Sequence, residues 1–164
     1  IAHAHGLALM AFDSLHVQAF AAAASGDWDA VIAVMDARRD EVYTASFVPQ
    51  ESQFEIADET RALILESNMH AAALFPVLAR TKKLNRVCII GDAAEKTHRL
   101  LADQLNDCTF VSDFPQAKHM HQLSLSAIRS KKFEDVAYFE PRYLKEFQAG
   151  KPRDPLGLRT STAS

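Results

Sequence analysis

The sequence predicts an α/β fold, a mixed sheet with flanking helices. Apolar runs of strand length alternate with segments of helical periodicity. One short polar link, Asp36 to Asp40, joins two consecutive strand-like runs, as an antiparallel hairpin requires. A hairpin within an otherwise alternating pattern makes the sheet mixed rather than purely parallel.

The elements follow in order. Ile1 to Leu9 reads as a helix with no capping residue before it, and Met10-Ala11-Phe12 as a short strand. Asp13 or Ser14 caps a second helix reaching about Ala24, which Ser25-Gly26-Asp27 ends. Ala30 to Met35 is almost wholly apolar, as strands covered on both faces are. Glu41 to Val48 alternates, with Val42, Thr44, Ser46 and Val48 on one face and Tyr43, Ala45 and Phe47 on the other. Residues 51–66 read as weaker strand or irregular chain. Asn68 is the expected cap of a helix from Met69 to about Lys82, kinked or broken at Pro76.

Arg86 to Ile90 is a short buried strand that runs into Gly91-Asp92. Asp92 and Glu95 have the spacing of a capping box for a helix to about Leu105, with Ala94, Thr97, Leu101 and Leu105 along one face. Thr109 to Val111 is another strand. A helix from near Pro115 to about Lys131 carries Ala117, Met120, Ser124, Ala127 and Ile128 on one stripe. Val31, Ile32, Val34, Val87, Ile89 and Ile90 are expected in one core. The tail, 148–164, is rich in Pro, Gly, Ser and Thr and is expected to be flexible.

The 164 residues, 48% hydrophobic and 24% charged, suffice for one domain that buries its own core. A net charge of -3 argues against a broad basic footprint for nucleic acid. The two cysteines, Cys88 and Cys108, form no Cys-x-x-Cys pair, which fits a reduced, cytoplasmic protein. No apolar run is long enough for a membrane span, and no signal peptide is expected.

The five glycines match neither a phosphate-binding loop nor a dinucleotide fingerprint. Of seven histidines, His3 with His5 and His119 with His121 are two apart, a spacing that points them apart on a helix. No metal, cofactor or catalytic residue is expected. The densest polar cluster is Asp36, Arg38, Arg39, Asp40 and Glu41. It reads either as a hairpin turn held by Arg–carboxylate pairs or as an anion or acid–base site at a strand end. Its charge balance favours the turn. Glu140 to Glu146 reads as an edge strand with Tyr143 and Leu144 packed, or as a basic surface for a partner.

Asp36-Ala37-Arg38-Arg39-Asp40-Glu41-Val42-Tyr43 resembles the Asp-Ala-Arg-x-x-Glu-Val-Tyr signature of TsaB proteins. Gly6-Leu7-Ala8-Leu9 resembles the end of a helix in that family, and Asp13-Ser14-Leu15 the step into its next helix. Ile90-Gly91-Asp92-Ala93-Ala94 resembles a Gly-Asp-Gly-Ala turn, with Ala93 in place of glycine. Glu140 to Lys145 resembles the closing Pro-x-Tyr-Leu-Arg stretch.

The resemblance runs from residue 1 to about 147. It implies an actin-like, sugar-kinase-like ATPase architecture that lacks most of the N-terminal lobe. Residues 1–12 would then be a remnant of that lobe, and 13–147 the C-terminal α/β domain. It further implies a non-catalytic subunit that supports a TsaD-like protein, together with a TsaE-like ATPase, in threonylcarbamoyl transfer to adenosine in tRNA. Contact with tRNA would be indirect. Asp36, Ala37, Arg38, Arg39, Glu41, Val42 and Tyr43 would form a structural motif. Gly6, Leu7, Leu9 and Met10 would lie at the partner interface. No charged residue stands between Ile1 and Phe12, so this segment must bury against its own domain or a partner; left uncovered it favours a homodimer. The competing readings are a small-molecule kinase or carbamoyltransferase of the same fold, and a free-standing α/β interaction domain.

Overall fold

The computed structural model describes residues 1–23, 25–50, 53–66, 68–80 and 84–145. Among them, β1 (Ala30–Asp36), β2 (Glu41–Gln50), β3 (Gln53–Ile64), β4 (Val87–Ile90) and β5 (Cys108–Val111) form one sheet in the order β3-β2-β1-β4-β5. The first three strands form an antiparallel meander, and β4 and β5 run parallel to β1. The expected mixed α/β sheet and the hairpin over Asp36–Asp40 are both present. The helices are α1 (Ala2–His5), α2 (Ser14–Ala23), α3 (Ala71–Leu74), α4 (Val77–Arg80), α5 (Ala94–Leu101) and α6 (His121–Arg129).

Side chains alternate across a strand, so the apolar runs of β1 and β4 feed two cores rather than the expected one. Ile32, Val34, Val87 and Ile89 join Val42, Leu74, Phe75 and Leu101 on one face. Val31 and Ile90 join Ala45, Phe47 and the α2 residues Leu15, Ala19 and Ala22 on the other. All six expected residues are buried. Tyr43, Ala45 and Phe47 share one face and Val42 and Val48 the other, as the alternation in β2 requires.

Several elements differ from expectation. The first helix stops at His5, because Gly6 adopts left-handed backbone at φ 61° and ends it. Met10 to Phe12 is not a strand; one bridge, Leu9 to Glu134, stands in its place. Residues 53–64 form one long strand, since β2 offers an edge for pairing along most of its length, with register shifts on either side of Ser46. Pro76 splits the 69–82 helix into α3 and α4. His70, not Asn68, precedes α3, with no side-chain cap. The Ala71 amide donates instead to Gln104 Oε1 at 2.8 Å, and the Val77 amide to Asp58 Oδ2 at 2.9 Å.

Helix α5 has no Asp92 cap; Ala93 precedes it without a side-chain bond. It ends at Leu101 rather than near Leu105, passing into a 3-10 turn over Ala102–Gln104. Ala94, Thr97 and Leu101 on its inner face, and Leu105 beyond the turn, are buried as expected. The last helix begins with a 3-10 turn, Ala117–Met120, which shifts the phase of the stripe. Leu123 and Ala127 are therefore buried while Ile128 is exposed. No strand forms over 140–145, and Tyr143 is 83% exposed. Lys82, the expected helix end at Ala24, Glu146 and the tail 148–164 lie outside the described residues. Among those residues no helix is long and apolar enough to cross a membrane.

Candidate functional site

The parallel strands β1 and β4 end side by side. Just past β4, Gly91 has φ 145°, and a Cβ built there would stand 1.7 Å from the Val34 carbonyl oxygen. Only glycine lets the chain leave β4 so close to β1. The next residue, Asp92, uses Oδ1 to accept the Asp36 amide at 2.9 Å. Lys96 follows one turn later, its side chain 14% exposed. Its ammonium donates to the Asp36 carboxylate, to the Arg39 carbonyl at 2.8 Å and to the Glu41 carbonyl at 3.0 Å. The hairpin turn is thereby fastened to the start of α5.

The Lys96 ammonium, and after it the Arg38 amide, hold the Asp36 carboxyl below its usual range. Arg38 adds a weaker attraction at longer range. The expected Arg–carboxylate contact is thus made by lysine: among the described residues no contact ion pair reaches Arg38 or Arg39. Both arginines are exposed and hold left-handed backbone, at φ 72° and 52°.

On the α2 face of the sheet lies a cleft of about 590 Å³, within the size range of ligand pockets. Met35, Tyr43, Phe47, Ile56 and Thr60 form its floor, Phe12 to His16 one wall and Phe139 to Leu144 the other. Asp13 joins the parts. Its Oδ1 accepts the Leu15 amide at 2.8 Å and so caps α2, as the sequence suggests. Its Oδ2 accepts Thr60 Oγ1 at 2.9 Å and Arg142 Nη2 at 3.0 Å. Glu134 donates its amide to the Leu9 carbonyl at 2.9 Å. At the rim Lys145 pairs with Glu41, and its Nζ stands 5.7 Å from the Tyr43 ring centre.

Three separate stretches, 9–16, 35–43 and 134–145, therefore meet at one place. Of the predicted residues, Tyr43 lines the cleft, Glu41 closes its rim and Asp36 anchors the turn behind it. Ala37 donates its amide to Glu41 O at 3.0 Å. Val42 is fully buried in the opposite core and serves packing. Gly6 terminates α1, Leu7 is 56% exposed, and Leu9 and Met10 are half-buried. Sequence reading missed Lys96, Arg142 and Lys145 as contacts. Lys96 carried a signal, because a cation in the first turn of a helix opposes the helix dipole unless something else holds it.

Asp13, Ser14 and His16 bring the residue types of a hydrolytic triad to one wall, but their bonds run elsewhere. His16 stacks on Phe47 with ring centres 5.0 Å apart, and its Nε2 donates to the Phe54 carbonyl at 2.9 Å. Both Asp13 oxygens are engaged as described. The geometry suits a shaped contact surface rather than an aligned nucleophile and base.

No family model matches this chain, and no curated protein sequence matches it. Solved structures do. One is described as the crystal structure of an uncharacterized protein with similarity to peptidase YEAZ from Pseudomonas aeruginosa. It superposes with a TM-score of 0.69 at 20% identity, covering 88% of this chain and 62% of that one. YeaZ from Pseudomonas aeruginosa gives 0.67 at 19% identity, covering 87% of this chain and 62% of its own. The chain shares their fold. It has the YeaZ architecture, an actin-like ATPase fold, over slightly less than two thirds of YeaZ's length. YeaZ is a TsaB-type protein, so the fold found by comparison is the one that the motifs imply.

Proposed function

We propose that this chain acts as a non-catalytic, TsaB-type subunit that supports a TsaD-like protein in threonylcarbamoyl transfer to adenosine in tRNA. One observation carries the reading. On the fold of YeaZ, three stretches that resemble the TsaB motifs each contribute to one cleft, through Ala11 to Leu15, Tyr43, and Glu140 to Leu144, and Lys145 pairs with Glu41 beside it. The turn at Gly91 is tied to the hairpin through the Asp92 carboxylate and the Asp36 amide. The exposed Leu7 supports a role for the N-terminal segment in association, with Leu9 and Met10 behind it. A TsaE-like ATPase would join the same assembly, and tRNA would be reached through the partners.

The name of the first structural neighbour contains the word peptidase. That activity finds no support here, because the Asp13 and His16 bonds do not run through Ser14. The test is capture of a TsaD-like subunit by the chain, with the threonylcarbamoyladenosine content of tRNA measured in cells depleted of their own TsaB. Capture together with restored modification is expected. Leu7→Glu should reduce capture with the circular dichroism unchanged, and Ser14→Ala should leave both readouts intact. A folded chain that neither captures the subunit nor restores modification would refute the proposal.

A further inference from the structure

Arg38 and Arg39 are consecutive, and both hold left-handed backbone, at φ 72° and 52°. Glycine or asparagine is the ordinary occupant of such positions, because a Cβ crowds the following carbonyl. The surrounding structure holds the turn against this strain. Lys96 takes the carbonyls of Arg39 and Glu41, and Asp92 takes the Asp36 amide. Strain that neighbours over-determine is a feature of functional sites.

What the strained turn presents is two exposed guanidiniums. Of the carboxylates in this cluster, Asp36 is engaged by Lys96 and Glu41 by Lys145; Asp40 is exposed and makes no contact ion pair with either arginine. Exposed arginine is among the residue types enriched in the energetic centres of protein interfaces. A strand of phosphates needs a broad basic footprint, which a chain of net charge -3 does not supply, whereas two carboxylates need only the two local guanidiniums.

We infer that the Arg38–Arg39 turn docks on carboxylates of a partner polypeptide. This rests on the subunit reading above. An acidic loop offering two carboxylates fits, since each guanidinium presents a planar fork of donors matched to one carboxylate. The clamp from Lys96 fixes the turn in advance, so little ordering remains to be done on binding.

The test measures calorimetric affinity of the full chain for the proposed partner subunit at about 0.05 M and about 0.5 M NaCl, where screening differs most. The variants are Arg38→Gly, Arg39→Gly and both together, each with its melting temperature. The double variant should bind on the order of tenfold more weakly at low salt, and the difference should shrink at high salt. Its melting temperature should stay level or rise, because glycine takes this backbone without strain. Wild type binding with an equally tight double variant overturns the docking and leaves the subunit reading standing. No binding by wild type overturns both. A fall in melting temperature at unchanged affinity makes the arginines structural and overturns the inference. Unchanged subunit affinity with loss of tRNA from the assembled complex overturns it in favour of an RNA contact.

Discussion

At Gly91 the carbonyl of Val34 occupies the space that a side chain would need, 1.7 Å from an ideal Cβ. That obstacle is backbone in the middle of a sheet, so it cannot rotate away. Gly91→Ala should therefore cost about 3–5 kcal/mol, in the range reserved for overpacking combined with backbone strain. Urea unfolding checks this, and a cost under about 1 kcal/mol would show that β1 and β4 separate easily. The sequence marked this residue as a turn but could not reveal the approach of Val34, which comes from a strand more than fifty residues earlier. Ala93, where the resembled turn carries glycine, sits at φ -94°. That backbone suits any residue, so the alanine introduces no strain.

Among the elements, the β1–β2 hairpin was legible because its apolar and alternating runs flank a compact polar link. The twelve-residue strand β3 was not, because register shifts in its pairing with β2 break the alternation, and charged residues lie on both faces, Glu59 at the cleft and Arg61 on the Leu74 carbonyl. The N-terminal helix was over-read for the opposite reason. Its apolar composition suggested continuity, and the single backbone geometry at Gly6 ended it. Asp92 was read as a helix cap from its spacing to Glu95, whereas its oxygen crosses to β1.

The clamp between that hairpin and α5 predicts a pH response. Lys96 and the Arg38 amide lower the Asp36 pKa in the folded chain, below the unfolded value near 3.9. As pH falls the unfolded chain takes up this proton first, so the stabilisation is full above about pH 5 and is lost as pH drops through the folded value. The stability difference between wild type and Asp36→Asn should accordingly be constant from about pH 6 to 8 and narrow below about pH 4. Asp29, lowered by the amides of Asn85 and Arg86, responds in the same direction but is common to both proteins. A difference that persists unchanged into acid would contradict the clamp.

Over the whole molecule, the fold class followed from the alternation of elements, and the two-sided core followed once each apolar strand was divided between its faces. The cleft was not legible, because nothing local announces that Asp13 will meet Arg142 or Glu41 will meet Lys145. These contacts span 129 and 104 residues of chain, and they tie down a segment whose Tyr138 and Tyr143 remain exposed. The Glu134 amide, bonded to Leu9, should thus exchange with solvent through a partial opening, well before the central amides of Ile32 and Ile89. Native-state hydrogen exchange under rising denaturant reads this directly. Equal protection at all three would mean that the segment opens only with global unfolding.

The pairing of Leu9 with Glu134 also sets an order of events. The meander of β1, β2 and β3 closes short loops, whereas joining residues 9 and 134 closes one of more than a hundred, a larger entropic step. The sheet can therefore form while the chain is still emerging from a ribosome, but the cleft has to wait for residues 134–145. A chain cut short just after α6 would retain every strand of the sheet and lose one whole wall of the site.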